Sequence, residues 1–98
     1  MGSFRWSGPK NDQLIRERGV SFEEVLLAIE QGYLLDVIRN PNERRYGDQK
    51  AFVVEMRRYV YLVPFVDHGN EIFLKTVIPS RKLTKRYLLQ RKGGGENA

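Results

Sequence analysis

An α+β domain, with two N-terminal helices and a C-terminal helix packed on a small, mainly antiparallel sheet, is predicted by three features of the chain. The first third carries helix start and stop signals around apolar residues. The middle changes at Gly32 to β-branched and aromatic runs with hairpin-length connections. The end returns, after Pro79, to a short helical pattern.

The elements follow in order. "GPKNDQLIRERG" (8–19) reads as a helix, with Pro9 suited to a first-turn position and Gly19 to the left-handed residue that stops it. "VSFEEVLLAIEQG" (20–32) is the second helix. Ser21 is its N-cap, Glu24 completes a capping box, Val20 and Val25 form a staple, and Gly32 lies just past the end. "YLLDVI" (33–38), "KAFVVEM" (50–56), "YVYLVPFV" (59–66) and "EIFLKTVI" (71–78) read as strands. The run from Lys50 to Val66 exceeds an ordinary strand and must reverse near Arg57-Arg58, where neither residue suits positive φ; a wider loop or local strain is expected. "DHGN" (67–70) is ordinary turn chemistry. "SRKLTKRYLLQRK" (80–92) starts the last helix, with Ser80 as N-cap.

At 98 residues the chain has room for one small core, read here as a single domain over 4–92, with residues 1–3 as an added leader and 93–98 as a flexible tail. There is no cysteine and one histidine, so neither disulfides nor a thiolate zinc site can add stability, and no metal or other cofactor is expected. No apolar run is long enough to span a membrane, and the start lacks a signal pattern; a soluble, cytoplasmic protein is expected. His68 reads as an exposed turn residue. No phosphate-cradling glycine loop or Ser/His/Asp array is present.

The net charge of +5 is uneven. Residues 1–31 carry four Lys/Arg against five Asp/Glu, and residues 32–98 carry thirteen against seven, giving −1 and +6. A basic surface concentrated in one part attracts polyanions. Residues 76–92 hold Arg81, Lys82, Lys85, Arg86, Arg91 and Lys92 with no acid. Arg91 and Lys92 complement a helix C-terminus, but Arg81, Lys82, Lys85 and Arg86 stand near its start, where cations oppose the helix dipole. Stability disfavours them there, which tilts the reading toward an anion site. Tyr59, Tyr61, Phe65 and Phe73 fit core packing better than a base-stacking platform. Ile72, Leu74, Thr76 and Ile78 are expected on one strand face, with Phe73, Lys75 and Val77 on the other. Lys75 has two readings, a side chain that snorkels to water or a phosphate-binding cation.

"FRWSGPKN…RERGVSFEEV" followed by "TVIPSRKLTKRYL" resembles the BrnT family of bacterial toxins, whose members share an opening W-(acid)-x-x-K-N, a K-H-G-[VI]-S-F-E-E stretch and a late S-x-R-x-x-[ST] motif. The resemblance covers roughly residues 4–88. It implies a RelE-like ribonuclease-toxin fold and an RNA-cleaving activity that arrests translation. It also implies a cognate antitoxin of the ribbon-helix-helix class, through which the pair would sit on operator DNA. Lys10 matches the first motif's lysine and Arg81 the late motif's arginine. Arg18 stands where the family usually has histidine, and Tyr87 where many members have glutamate; both departures remove a group that could titrate near neutrality.

Metal-independent RNA cleavage uses the substrate's own 2′-hydroxyl against the adjacent phosphate. The protein must move two protons and stabilise the charged transition state. Arg81 and Arg18 would serve as phosphate clamps, since arginine does not act as a base. Lys10, Lys75 or Tyr87 could handle protons only with a lowered pKa. Lys82, Lys85 and Arg86 would hold flanking backbone. The rival reading is a catalytically degenerate module that binds antitoxin and nucleic acid without cleavage, which the missing histidine and glutamate favour.

Overall fold

The computed structural model describes residues 3–39 and 50–89. The expected tail over 93–98, the cations Arg91 and Lys92, and the leader residues Met1 and Gly2 lie outside the described residues. The protein is α+β, with three helices and a mixed sheet. The chain runs through β1 (Ser3–Arg5), α1 (Gly8–Arg18), α2 (Phe22–Glu30), β2 (Leu34–Arg39), β3 (Lys50–Met56), β4 (Tyr59–Asp67), β5 (Glu71–Leu74) and β6 (Ile78–Pro79). It ends in α3, an α-helical turn over Arg81–Thr84 that widens into a π-helical turn over Lys85–Leu89. Strand order is β1-β5-β4-β3-β2, and β6 also pairs with β4. Every pairing is antiparallel except β1 with β5, which is parallel. No local signal announces β1. It begins at Ser3, which the sequence reading set outside the domain, and Ser3 N–H donates to the Asn70 carbonyl at 2.9 Å.

Both N-terminal helices start on a serine. The Ser7 hydroxyl accepts from the Lys10 amide and the Ser21 hydroxyl from the Glu24 amide, each satisfying an orphan donor of a first turn. Gly19, at φ 70°, ends α1 in the left-handed conformation that glycine adopts without steric cost. One residue joins the helices more tightly than any pattern suggests. Asn11 is buried, accepts the Phe22 amide at 2.8 Å and donates to Glu23 Oε1 at 2.8 Å. It therefore fixes the entry of α2 from within α1. The Asn11 hydrogen bond holds the Glu23 carboxyl below the ordinary glutamate range.

One sheet face meets the two helices. Phe52, Val54 and Met56 of β3, Val63 and Phe65 of β4, and Ile72 and Leu74 of β5 form one core with Leu14, Val20, Phe22, Val25 and Ala28. Stacked Phe52 and Phe65, with ring centroids 4.1 Å apart, occupy its centre, and Phe4 and Trp6 close its side. Ala51, Val53 and Val60 alternate to the other face and are fully buried as well, since α3 packs there against β4. Burial on both faces explains why β3 reads as continuous apolar sequence rather than alternation.

The strand expected over 71–78 does not form as one piece. Phe65 pairs with Leu74, but Leu62 pairs with Ile78, so three residues of one strand oppose two of the other. The surplus residue is a bulge at Lys75-Thr76-Val77, opposite Pro64, which has no N–H to give the ladder. The Pro64 carbonyl still accepts the Lys75 amide at 2.8 Å. The bulge also reverses the expected faces: Val77 is fully buried with Ile72 and Leu74, while Thr76 is half-buried and Ile78 is exposed.

Asn11→Ala leaves the buried Phe22 amide without its acceptor and is expected to lower stability by about 1–3 kcal/mol. Gln13→Ala, which removes only a side-chain bond to Glu17 within α1, should stay within about 0.5 kcal/mol. Denaturant titration of both variants checks this. A depressed carboxylate contributes stability above its unfolded pKa and loses it as pH falls through the folded one. The difference between the wild type and Asn11→Ala should therefore narrow as the pH drops from about 5 to about 3, measured by melting at each pH.

Candidate nucleic-acid interface

The β3–β4 hairpin settles the doubtful turn. Met56 pairs with Tyr59, so the loop is only two residues, and Arg57 (φ 56°) and Arg58 (φ 62°) both occupy the left-handed region. This is the geometry that matches strand twist and favours Asn-Gly. Two arginines there cost on the order of 1 kcal/mol each. A wide loop is absent; the local strain is present. Arg57 has a visible return. Its Nε and Nη2 donate to Glu24 Oε2 and Oε1 at 2.8 and 3.0 Å, a two-pronged ion pair. Glu24 is consequently engaged away from the reciprocal half of its capping box. Arg57 also spreads across α1's end, with Nη1 3.7 Å from where a Cβ on Gly19 would stand.

Next to Gly19, Arg18 reaches the bulge. Its Nη1 donates to the Val77 carbonyl, a contact between residues 59 apart in sequence. The guanidinium assigned to a phosphate is thus already committed to main chain, where it satisfies a carbonyl that the bulge removes from the ladder. Lys75, in the bulge, is exposed, with Nζ 5.3 Å from the centroid of the Phe73 ring. Both lie on the sheet face opposite α1, since Phe73 alternates with buried Ile72 and Leu74.

α3 begins where expected. The Ser80 hydroxyl caps it by accepting the Leu83 amide at 3.1 Å, and its carbonyl accepts the Thr84 hydroxyl at 2.7 Å. Val60 then locks this turn onto β4: its carbonyl accepts the Ser80 amide at 3.0 Å and its amide donates to Thr84 Oγ1 at 2.9 Å. Arg81, Lys82, Lys85 and Arg86 are all exposed, and none has an ion-pair or hydrogen-bond partner for its side chain among the described residues. Lys82, Lys85 and Arg86 border an open hollow of about 440 Å³ with Leu89. At the far side of α3, the Tyr87 hydroxyl donates to Asp36 Oδ2 at 3.2 Å. Burial, then this bond to Asp36, raises the Tyr87 pKa above that of an ordinary tyrosine. A proton-transfer role for Tyr87 at neutral pH required the opposite shift.

The sequence-predicted residues therefore divide. Arg81 stands beside Lys82, Lys85 and Arg86 on α3, and the bulge holding Lys75 lies just before it on the same edge of β4. Arg18 approaches the bulge from the other face through Val77. Lys10 does not join them: it is half-buried in the first turn of α1, about 12 Å along the helix axis from Arg18. Sequence reasoning gave no role to Asn11 and read Arg57-Arg58 only as a forced reversal. Only the Arg-Arg pair at a forced reversal carried a signal. No family model matches the chain, and no curated protein matches it either.

Arg18→Ala should free the Val77 carbonyl and loosen the bulge, lowering stability by about 1 kcal/mol, near the usual net value of one hydrogen bond. Amide exchange at Lys75 should quicken while exposed Arg16→Ala leaves it unchanged, as read by hydrogen exchange.

Proposed function

We propose that this chain is the toxin component of a type II toxin–antitoxin pair, of the BrnT family and RelE-like in fold, acting on RNA as a metal-independent endoribonuclease that inhibits translation. One observation supports an RNA-directed role above the others: four cations of α3 are exposed and without a side-chain partner among the described residues, and two of them, Arg81 and Lys82, stand in its first turn, where the dipole opposes them. A phosphate backbone supplies the missing negative charge, and arginine can grip it with two donors. Arg81, on the first position of α3 and held to β4 through Ser80, is the phosphate clamp in this reading. Lys75 is the nearest candidate for a proton-moving group, and Lys82, Lys85 and Arg86 hold adjacent nucleotides. A ribbon-helix-helix antitoxin would neutralise the same strip and carry the complex to operator DNA.

A second reading is favoured by specific contacts. With Arg18 committed to the Val77 carbonyl and the Tyr87 pKa raised, the surface has ample charge stabilisation but few groups able to exchange protons. A toxin-like module that binds RNA and antitoxin without cleavage fits those contacts.

Induced expression in a bacterium, with growth and RNA integrity followed together, separates the readings. An active nuclease arrests growth and fragments RNA; a binding module does neither. For the nuclease, Arg81→Ala should reduce cleavage about 100- to 1000-fold, the usual loss for one preorganised donor. Its stability should remain within about 0.5 kcal/mol, as for other exposed positions, in a melting curve of the same variant.

A further inference from the structure

We propose that Phe73 stacks an unpaired base of single-stranded RNA on the open sheet face that also carries α3, bringing the sugar and phosphate of that nucleotide to Lys75. The proposal rests on the RNA-binding reading above and adds to it the residue that holds a base.

Register places the ring. Val66 pairs with Phe73, cross-strand partners share a face, and Val66 lies on the same face of β4 as Val60, where α3 is seated. Val60 and Val66 are six residues apart, about 20 Å along β4. Between them the chain stays beside β4: the Lys75 amide is at the Pro64 carbonyl, Ile78 is opposite Leu62, and the Ser80 amide is at the Val60 carbonyl. Phe73, Lys75 and the start of α3 therefore follow one strip of surface.

The chemistry of the strip is that of a nucleotide. Phe65 lies in the core and Tyr61 packs against it, whereas Phe73, between buried Ile72 and Leu74, points away. Its ring is half-buried, and the exposed Lys75 ammonium stands over it, 5.3 Å from the centroid, so one ring face is open toward solvent. Lys75 has no acidic partner among the described residues, and Glu71, the acid on this face of β5, is paired with Arg5 at 3.4 Å. A carboxylate would satisfy Lys75 but not the ring, and an apolar side chain the ring but not Lys75. A single nucleotide satisfies both, by stacking its base and presenting its phosphate. The strip then leads to the α3 cations, which call for the same negative backbone.

The test uses a short oligouridylate methylated at its 2′-hydroxyls, so that attack by those hydroxyls cannot cut it. Phe73→Leu keeps an apolar side chain on the sheet but removes the π face, and should weaken binding at least about fivefold. Its dependence of log affinity on log salt should match the wild type, because a stacked base adds no phosphate contact. Phe73→Tyr should retain wild-type affinity. In Phe73→Trp, the emission of the new indole should be quenched at saturating RNA, measured against the wild type, whose one tryptophan is Trp6. If melting shows that Phe73→Leu does not fold, the Phe73→Trp quench decides. Wild-type affinity in a folded Phe73→Leu, or unquenched emission in Phe73→Trp, overturns the proposal; if neutralising Lys82, Lys85 and Arg86 together still weakens binding, the RNA-binding reading stands without it. A wild-type protein that binds neither this oligomer nor its unmethylated form overturns both.

Discussion

The two-residue reversal at Arg57-Arg58 is the constraint on which the rest of the structure depends. It closes the register of β3 against β4, and side chains alternate between faces with a period of two. A slip of one residue would carry Phe52, Val54 and Met56 away from the helices and bring Ala51 and Val53 to them. The core, with its stacked Phe52 and Phe65, exists in one register only. The same reversal hands one arginine to α2 through Glu24 and sends the chain back into Val60, the residue that seats α3. Helix placement on both faces thus follows from one turn.

A second irregularity works with the first. Pro64 interrupts the donor ladder of β4, and the surplus residue opposite it divides one expected strand into β5 and β6. The bulge turns Val77 into the core, exposes Lys75, and leaves a carbonyl that Arg18 satisfies from α1. Strand order, bulge and helix start together present the cations of the candidate surface as a set. Lys75 and the α3 cations fall within residues 75–86, and Arg18 reaches the bulge from a distant part of the sequence.

What was legible in the sequence was what short-range chemistry determines. Ser21, Val20 and Val25 marked α2, Gly19 marked the end of α1, and Ser80 marked the start of α3, because caps and stops act within a few residues. The β1 strand was not legible, since three residues acquire strand character only from a partner almost seventy positions away. Asn11 carried no local signal of its role, which lies in accepting the Phe22 amide across the α1–α2 joint. The faces of residues 76–78 were misjudged because alternation was extended through Pro64's missing donor. At the candidate surface, the α3 cations were visible as a run, whereas Arg18's bond to the Val77 carbonyl depends on a tertiary contact.

The parallel seat of β1 has a consequence for how the chain assembles. β1 bonds to β5 after α1, α2, β2, β3 and β4 have intervened, so its docking closes the longest loop in the sheet. Hairpins such as β3–β4 close over far fewer residues and can precede it. Until β1 arrives, the outer edge of β5 presents open donors and acceptors to any neighbouring chain. Ser3–Arg5 therefore act as a late seal on an adhesive edge, and the interval before they dock is when self-association competes most strongly with folding.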